Sequence, residues 1–297
     1  MEHCPELQRQ QALKLQMKDK QMMELKNVTY WYDSARVVIN NVSASLSGGR
    51  VYGLLGLNGS GKTTLLKLMS GLLFPKDGEI LADGRSVGSR SAAVLSEIAF
   101  MPAEFSLRKE SIDRYVALNS VFYPSFSLPV LEDCLKEFGI DPQTRNLSGL
   151  SLGNSHKFMF SFLLSLGTRV LLLDEPLNGM DVPSRNQFRR LLIRHMRDDQ
   201  AVVISTHVMP DVENILSDVM ILRNDGSLFG DSVESLSQRY TFGISSSPDG
   251  CLYAENCAEG YKVIRENAGA GEGDAEGEGS GVPMEILFNA VTKGVIK

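Results

Sequence analysis

The chain has 297 residues, of which 43% are hydrophobic and 22% charged, an ordinary composition for a globular protein with a full core. The net charge of -6 excludes a general nucleic-acid-binding protein, because such proteins need a basic surface to displace counterions from phosphates. No apolar stretch approaches the roughly 20 residues of a membrane-spanning helix, and the N-terminus lacks the apolar segment of a signal peptide. We therefore expect one cytosolic domain of about 230 residues with appendages, and any work at a membrane requires a separate partner.

The four cysteines are Cys4, Cys134, Cys251 and Cys257, and they lie far apart in the sequence. They form no C-x2-C pair of the kind found in zinc sites, and the spacing of Cys251 and Cys257 fits no familiar metal or redox motif. We therefore expect reduced thiols.

The chain begins with a segment, residues 1–22, that is rich in Gln, Lys and Met and has little periodic apolar pattern. We predict a dispensable polar tail there, and the sequence leaves open whether Met1, Met22 or Met23 is the true start. From Met23 the residues alternate like a strand, and up to Tyr240 short β-type runs alternate with helical segments. This pattern predicts an α/β domain over 23–240 with a mainly parallel sheet.

Several apolar runs in this domain are candidates for buried strands, and they are Val51–Gly56, Ile98–Pro102, Val170–Asp174, Ala201–Thr206 and Asp218–Leu222. A helix is predicted over Ser127–Gly139, because its leucines and Phe138 fall on one helical face. The stretch of about 91–148 is therefore predicted to be a helical insertion between strands.

A C-terminal extension over 241–297 follows, in which the regular pattern fades. Its segment 268–281, AGAGEGDAEGEGSG, is too polar to bury a core and predicts a flexible linker. The closing run Val282–Ile296 is apolar enough to pack back on the domain as a small element. The role of the extension stays open.

A glycine-rich segment matches the phosphate-binding loop G-x4-G-K-[ST] between the strand Val51–Gly56 and an apolar helix over Leu65–Leu73. Glycines let backbone N–H groups approach phosphates, Lys62 reaches the β- and γ-phosphates, and the Thr63 hydroxyl binds Mg²⁺. The alternative is a glycine-rich turn that binds nothing. The predicted nucleotide-binding residues here are Gly56, Leu57, Asn58, Gly59, Ser60, Gly61, Lys62, Thr63 and Thr64.

The apolar strand Val170–Asp174 ends in two carboxylates, Asp174 and Glu175. In an open parallel sheet, ligands bind at the carboxyl ends of the strands. This position suits Asp174 as a ligand in the Mg²⁺ shell and Glu175 as the general base that polarises the attacking water. The alternative is a solvated turn with two acidic residues.

The segment Leu150-Ser-Leu-Gly-Asn154 lies 24 residues before Asp174 and opens the apolar helical run Phe158–Leu166. It resembles the LSGGQ signature of ATP-binding cassette (ABC) proteins, at the family's usual distance from the acidic strand. Ser151 and Gly153 match the motif's Ser and second Gly. The alternative is an N-cap serine that starts a helix.

The segment departs from the signature at two positions, Leu152 and Asn154, whereas Lys157 stands where a basic residue is usual. A further departure lies in Ile98-Ala-Phe-Met-Pro-Ala-Glu104, where the family normally has a glutamine that touches Mg²⁺ and water. Ala103 holds that place and can supply no amide group. Two hypotheses follow: Glu104 substitutes after a shift of the loop by one residue, or hydrolysis is slower or differently coupled.

The resemblance extends over about 23–240 and includes motifs on both sides of the signature. Asn178-Gly-Met-Asp181 is similar to the family's D-loop, and Asp181 is then expected to contact nucleotide. Ser205-Thr-His207 is similar to its switch histidine, which implies that His207 senses the γ-phosphate, the alternative being a structural histidine. Tyr32 fits the spacing of the aromatic residue that stacks on adenine, the alternative being a core aromatic.

The resemblance implies a phosphate-loop NTPase core with a mainly parallel sheet, an antiparallel β subdomain and a helical subdomain insertion. It implies an ATP hydrolase that uses ATP and Mg²⁺, with Glu175, His207 and Lys62 as catalytic residues and Thr63 and Asp174 as metal ligands. Two copies, or this chain and a related cassette, would form a head-to-tail dimer in which each ATP lies between one protomer's Lys62 and the other's Ser151. A separate membrane permease would hold the protein at the inner face of the cell membrane.

The functional prediction is the ATPase subunit of an exporter, resembling single-cassette bacterial multidrug, antibiotic or bacteriocin exporters, with the insertion around 103–126 docking the permease. Two alternatives stay open. One is a non-transport cassette ATPase that acts on ribosomes or DNA, although such members carry two cassettes or a long coiled coil. The other is a regulatory cassette that binds ATP and hardly hydrolyses it, which Ala103 and the altered signature favour and the intact catalytic residues oppose. The cargo and its direction are not readable from the sequence.

Overall fold

The computed structural model describes residues 20–33, 36–207, 209–267 and 282–297. Most of the predicted tail and the predicted linker 268–281 lie outside these residues. The strands are β1 (Gln21–Trp31), β2 (Val37–Ser47), β3 (Arg50–Gly56), β4 (Asp77–Ala82), β5 (Arg85–Ser86), β6 (Ile98–Met101), β7 (Val170–Asp174), β8 (Ala201–Ser205), β9 (Asp218–Leu222), β10 (Leu228–Ser232), β11 (Tyr240–Ser245), β12 (Tyr253–Cys257) and β13 (Gly260–Glu266). The α-helices are α1 (Lys62–Met69), α2 (Ala92–Leu95), α3 (Ile112–Asn119), α4 (Leu128–Phe138), α5 (Leu152–Ser165), α6 (Val182–His195), α7 (Val233–Arg239) and α8 (Met284–Thr292).

A central sheet has the strand order β10-β9-β3-β8-β7-β6 and carries the predicted buried strands. Neighbouring strands from β9 to β6 run parallel, and only the edge strand β10 is antiparallel to its neighbour. The register sets Asp174 opposite Ser205, and Leu54, two residues before Gly56, also opposite Ser205. The carboxyl ends of β3, β7 and β8 therefore meet at one edge of the sheet, as the strand-end argument predicts.

The central sheet is buried on both faces, as its uninterrupted apolar strands require. Successive side chains of a strand point to opposite faces, so Leu171 and Leu173 enter one core and Leu172 enters the other. The first core lies under helices α4, α5 and α6, and the second lies between the central sheet, α1 and the N-terminal sheet. The two cores fix the central sheet rigidly beneath its ligand-binding edge.

The N-terminal sheet is antiparallel, with the strand order β2-β1-β4-β5, and it matches the predicted β subdomain. Its first strand begins two residues earlier than the boundary predicted for the polar tail. Gln21 and Met22 belong to β1, and Met22 is only 1% exposed. The short segment Gln21–Met23 carries two buried methionines and therefore has too little periodicity for its start to be read from the sequence.

The helical insertion between β6 and β7 contains α3, α4 and α5. The predicted helix Ser127–Gly139 is α4, which begins one residue later and ends at Phe138, where it is capped by Gly139 in a left-handed conformation that glycine adopts without strain. Strand β6 falls inside the predicted range 91–148 but pairs with β7 in the central sheet. The helical part therefore begins after Met101, and the division of the chain into domains stays a prediction.

The C-terminal extension holds more structure than its sequence pattern indicates. Strands β11, β13 and β12 form an antiparallel sheet in that order, which the sequence analysis missed. The closing apolar run forms α8, and its buried side chains confirm the prediction that it packs back on the domain. Arg223, directly after β9, donates to the carbonyl oxygens of Val291 and Ile296 at 3.3 Å each and so joins α8 to the central sheet.

None of the helices in the described part of the chain has the length and hydropathy needed to cross a membrane. Cys134, Cys251 and Cys257 are free thiols, and Cys4 lies outside the described residues. The described residues also contain no group of three or more His, Cys, Asp or Glu side chains that could hold a metal ion.

Candidate functional site

The glycine-rich loop lies between β3 and α1 at the carboxyl edge of the central sheet. Gly59 and Gly61 have φ angles of 79° and 108°, which L side chains rarely adopt. A Cβ atom at Gly61 would also lie 2.8 Å from Cγ1 of Val38. The glycine pattern is therefore required by the backbone, and the turn directs the N-terminus of α1 toward the space above the sheet.

Lys62 begins α1 and is only 7% exposed. Its Nζ donates to the carbonyl oxygens of Gly56 at 2.8 Å and Leu57 at 3.2 Å. Burial lowers the pKa of Lys62, while the carboxylates of Glu175 and Asp174 act in the opposite direction. The ammonium group is thus held within the loop, where a phosphate can replace its carbonyl partners.

Asp174 ends β7 and is 1% exposed. The Thr63 hydroxyl donates to its Oδ2 at 2.6 Å, and the Ser205 hydroxyl donates to its Oδ1. Hydroxyl and carboxylate oxygens are ligands that Mg²⁺ prefers, and this ion usually takes only one or two carboxylates besides water and phosphate oxygens. The oxygens of Thr63 and Asp174 therefore fit Mg²⁺ bound together with a nucleotide.

Glu175 follows directly and has a φ angle of 48°, which is strained for a non-glycine residue. Its N–H is held by the carbonyl and hydroxyl oxygens of Ser205 at 3.1 Å and 3.2 Å. Its Oε2 lies 2.8 Å from Nδ1 of His207. The structure therefore brings together the predicted base and the predicted switch histidine, two residues from different strand ends.

Lys62, Thr63, Asp174 and Glu175 line a cavity of about 370 Å³ above the sheet edge, whereas Ser205 and His207 do not line it. Its lining residues are Tyr32, Arg36, Val38, Asn58, Gly59, Gly61, Lys62, Thr63, Thr64, Asp174 and Glu175. Tyr32 is 61% exposed, so the alternative of a core aromatic is wrong, and it is Tyr30 that packs in the core. The Tyr32 hydroxyl lies 3.1 Å from the Thr64 hydroxyl oxygen, which holds the ring at the mouth of the cavity.

The signature segment lies apart from this cavity. Ser151 is exposed and caps α5 by accepting a hydrogen bond from the Asn154 N–H at 3.3 Å. A Cβ atom at Gly153 would lie 2.4 Å from the carbonyl oxygen of Gly179, so the first turn of α5 packs closely on the segment after β7. The predicted N-cap role and a signature role are compatible, because the Ser151 side chain stays at the surface.

Asp181 also lies outside the residues that line the cavity. Its carboxylate accepts hydrogen bonds from the Ser184 N–H and hydroxyl and caps α6. These hydrogen bonds keep the pKa of Asp181 below its ordinary value. Within one chain, therefore, Ser151, Gly153 and Asp181 have structural roles, and a nucleotide contact would require a second protein surface.

The comparisons with known proteins agree with this geometry. The ABC transporter family profile matches residues 39–178. A putative ABC transporter ATP-binding protein of Pyrococcus horikoshii is 30% identical over 240 residues, which cover 72% of this chain and 85% of that protein. The chain belongs to the ATP-binding proteins of ABC transporters.

Other relatives include SrtF, a lantibiotic transport ATP-binding protein of Streptococcus pyogenes, which is 27% identical over 197 residues. That match covers 65% of this chain and 83% of SrtF. The solved structure of an ATP-binding subunit of an ABC transporter superposes with a TM-score of 0.65 at 22% identity, covering 72% of this chain and 91% of that one, and supports the fold. The ABC family consists of ATPases coupled to transport, so this chain is an ATP-binding subunit of that class.

The place of the usual ABC glutamine lies just after β6. Ala103 is partly buried and Glu104 is exposed, and neither is among the described residues that line the cavity. The geometry therefore does not bring Glu104 to the nucleotide site in this structure. Whether Glu104 replaces the glutamine when nucleotide binds stays a prediction.

Two residues of this ABC site were missed by sequence reasoning, Ser205 and Arg36. Ser205 holds both Asp174 and the N–H of Glu175. It stands at the end of a strand candidate, so the rule that pointed to Asp174 could have found it. Arg36 lines the cavity from the segment before β2 and carries no motif that marks it.

Proposed function

We propose that the chain is the ATPase subunit of an exporter and hydrolyses ATP with Mg²⁺ between two nucleotide-binding domains. The observation that carries the proposal is the convergence of Lys62, Thr63, Asp174 and Glu175 on one cavity, with His207 at hydrogen-bonding distance from Glu175. A structural turn would not gather a buried ammonium, two carboxylates and an imidazole at the carboxyl edge of one sheet.

Within this site Lys62 would leave the carbonyl groups of its own loop and bind the β- and γ-phosphates. The glycine loop and the N-terminus of α1 would donate backbone N–H groups to the same oxygens. Thr63 and Asp174 would hold Mg²⁺. The ion, when bound, neutralises charge on the phosphate oxygens. Tyr32 would cover the adenine at the mouth of the cavity.

Glu175 would accept the proton of the attacking water. Its Oε2 lies 2.8 Å from Nδ1 of His207, so the imidazole would link the base to the γ-phosphate and the water. The hydrogen bonds from the Glu175 N–H to Ser205 fix the strained backbone, so the carboxylate is positioned before nucleotide arrives.

The dimer follows from what lies outside the cavity. Within one chain the cavity lining does not include Ser151, Gly153 or Asp181. A second domain in a head-to-tail arrangement would place its own signature helix over the ATP. The helix N-terminus at Ser151 would then bind the γ-phosphate. We propose a homodimer or a pair with a related cassette.

The partner would be a separate membrane permease, which would hold the protein at the inner face of the cell membrane. A groove of about 610 Å³ lies between β6 and the helical insertion, and Phe100, Phe122 and Tyr123 are among its lining residues. Phe122 is 68% exposed, so the groove offers an apolar contact for a permease segment. The likeness to SrtF, a lantibiotic transport protein, supports export of a peptide or antibiotic.

The test compares the Mg²⁺-dependent ATPase rate of the wild type and Glu175→Gln, together with the solution mass of each in ATP. We expect the variant to lose hydrolysis by about 10²–10⁴-fold, as for removal of a general base, and to accumulate a dimer that holds ATP. A matched control is Glu132→Gln, an acid-to-amide change at an exposed position of α4 outside the cavity.

An active Glu175→Gln protein would contradict the assigned base. A wild type that neither hydrolyses ATP nor dimerises would favour the regulatory cassette, in which Ala103 and the altered signature disable autonomous hydrolysis.

A further inference from the structure

A buried histidine, His156, contacts the segment that carries the catalytic carboxylate, and no motif assigns it a role. It lies in the second turn of α5 and is 1% exposed. Its Nδ1 lies 3.3 Å from the carbonyl oxygen of Pro176, the residue after Glu175. On its other side the ring lies 5.0 Å from the ring of Phe105, centroid to centroid.

The tautomer of His156 follows from its partner. A carbonyl oxygen only accepts hydrogen bonds, so Nδ1 carries the proton and donates it to Pro176. Burial lowers the pKa of His156, and this effect exceeds the opposite effect of the Pro176 carbonyl. The neutral ring with a protonated Nδ1 is therefore the form that the site selects.

His156 lies on the same face of α5 as Gly153, three residues earlier. Gly153 brings the helix backbone against the carbonyl of Gly179, and His156 reaches Pro176 from the next turn. One face of the signature helix therefore rests on the segment 176–179, which links Glu175 to the cap of α6.

The backbone around Glu175 is consequently held from two sides. Its N–H donates to Ser205, which belongs to β8, and the carbonyl of the following residue accepts from His156, which belongs to α5. Between these anchors Glu175 keeps a φ angle of 48°, a conformation that persists only when the surroundings enforce it. The β8 anchor belongs to the rigid sheet, whereas the α5 anchor belongs to the helix that begins at Ser151.

Phe105 adds a third segment to this cluster. It lies two residues after Ala103, in the loop that leaves β6 toward the helical insertion. The contact of its ring with His156 joins this loop to the signature helix. The link is an aromatic contact, whereas the glutamine usual at the place of Ala103 would offer an amide.

We propose that His156 is a positioning residue that couples the signature helix to the carboxylate of Glu175. The inference rests on the proposed function, because it assumes that Glu175 is the base. When the signature helix α5 engages nucleotide in the dimer, the hydrogen bond from Nδ1–H of His156 to the Pro176 carbonyl fixes the neighbouring Glu175 for the attack of water. The bond acts on the chemical step and leaves the phosphate loop untouched.

The experiment separates the two contacts of His156 with two variants. His156→Phe keeps a ring against Phe105 but has no donor, whereas His156→Asn places an amide N–H near the position of Nδ1 and has no ring. We expect His156→Phe to lower kcat about five- to tenfold with an unchanged KM for ATP, because one positioning hydrogen bond is lost. His156→Asn should recover most of kcat.

The matched control is His195→Phe, which removes an imidazole that pairs with Asp133 on the far side of α6, and it should leave kcat within about twofold of wild type. A folded His156→Phe protein with wild-type kcat would overturn the proposal. So would a His156→Asn protein as slow as the Phe variant, because the donor would then not be the feature that matters.

A measurement on the wild type keeps the proposal testable if the variants do not fold. Nitrogen NMR of histidine-labelled protein should show a neutral His156 protonated at Nδ1, and a neutral ring protonated at Nε2 would overturn the proposal. The outcome for Glu175→Gln stays separate. If that variant loses hydrolysis while His156→Phe does not, only the positioning role fails; if Glu175→Gln stays active, the proposed function itself fails.

Discussion

The phosphate half of the site and its signature half are built in opposite ways. In the first, Lys62 and Asp174 are 7% and 1% exposed, and each has hydrogen-bond partners within the chain. In the second, Ser151 is exposed and Leu152 beside it is 61% exposed. One half is a preformed pocket, and the other is a piece of surface.

This difference indicates where the free energy of assembly acts. The buried half is fixed during folding, because two apolar cores hold the strands whose ends carry Asp174, Ser205 and the glycine loop. The exposed half gains partners only when a second domain covers it. ATP binding should therefore depend on the first half alone, whereas hydrolysis should require both.

Of the substitutions that test this comparison, Lys62→Ala is expected to have the largest effect. Removal of the only side-chain ammonium in the described lining of the cavity should reduce ATP affinity and lower hydrolysis by on the order of 10²–10³-fold, as for loss of one preorganised charge-stabilising donor. Titration calorimetry with ATP and a steady-state ATPase assay check both effects.

The control is Lys67→Ala on the same helix, since Lys67 lies in the last turn of α1 and outside the cavity. It makes the same change of charge and should bind ATP like the wild type. Equal ATP affinity in the two variants would show that the phosphate half is not the binding half.

A smaller and different effect is expected from Ser151→Ala. The variant should bind ATP with nearly normal affinity as a monomer, yet form less ATP-dependent dimer and hydrolyse ATP about tenfold more slowly, since one charge-assisted hydrogen bond to phosphate is lost. Light scattering in ATP and the ATPase assay separate these quantities. Loss of the helix cap should also cost about 1 kcal/mol of stability.

Ser232→Ala is the matched control, because Ser232 caps α7 by accepting from the Ser235 N–H at 3.0 Å. It should lose similar stability and keep hydrolysis. Mixing Lys62→Ala with Ser151→Ala tests the homodimer, because a mixed dimer combines one intact loop with one intact Ser151. About a quarter of wild-type activity should return from random pairing in a two-fold dimer, and no recovery would favour a related cassette as the partner.

The same comparison explains what the sequence could predict. The glycine loop, the strand-end acids and the switch histidine each follow a single strand whose position can be predicted from local pattern, and the structure places Lys62, Asp174 and His207 at one edge of the sheet. Their roles toward nucleotide stay predictions. The sheet β11-β13-β12 was missed, because its strands have many half-buried positions and little alternation.

Contacts between distant segments could not be read from the sequence. His156 has the helical spacing of a core residue, and only the packing of α5 on Pro176 gives it a polar partner. Ser205 could have been found by its strand end, whereas Arg36 required the fold that turns its segment over the glycine loop. The predicted roles of Ser151, Gly153 and Asp181 toward nucleotide stay predictions.

The smallest expected effect is on the pH dependence of stability, and it reports on His156, the buried histidine of the signature helix. Burial lowers the pKa of His156 below its ordinary value of 6.5. As pH falls below that value, His156 binds a proton in the unfolded chain but not yet in the folded protein. The free energy of unfolding therefore decreases. Above the unfolded pKa both states are neutral there and His156 contributes no pH dependence.

His156→Asn removes this titration and should therefore lose less stability than the wild type between about pH 7 and pH 5. Urea unfolding of both proteins at several pH values measures the difference. Both proteins carry the same other titratable residues, so the contributions of those residues cancel in the comparison. Parallel pH profiles would mean that His156 titrates in the folded state as it does in the unfolded chain, and the tight packing of the signature helix on Pro176 would then not exclude the charged ring.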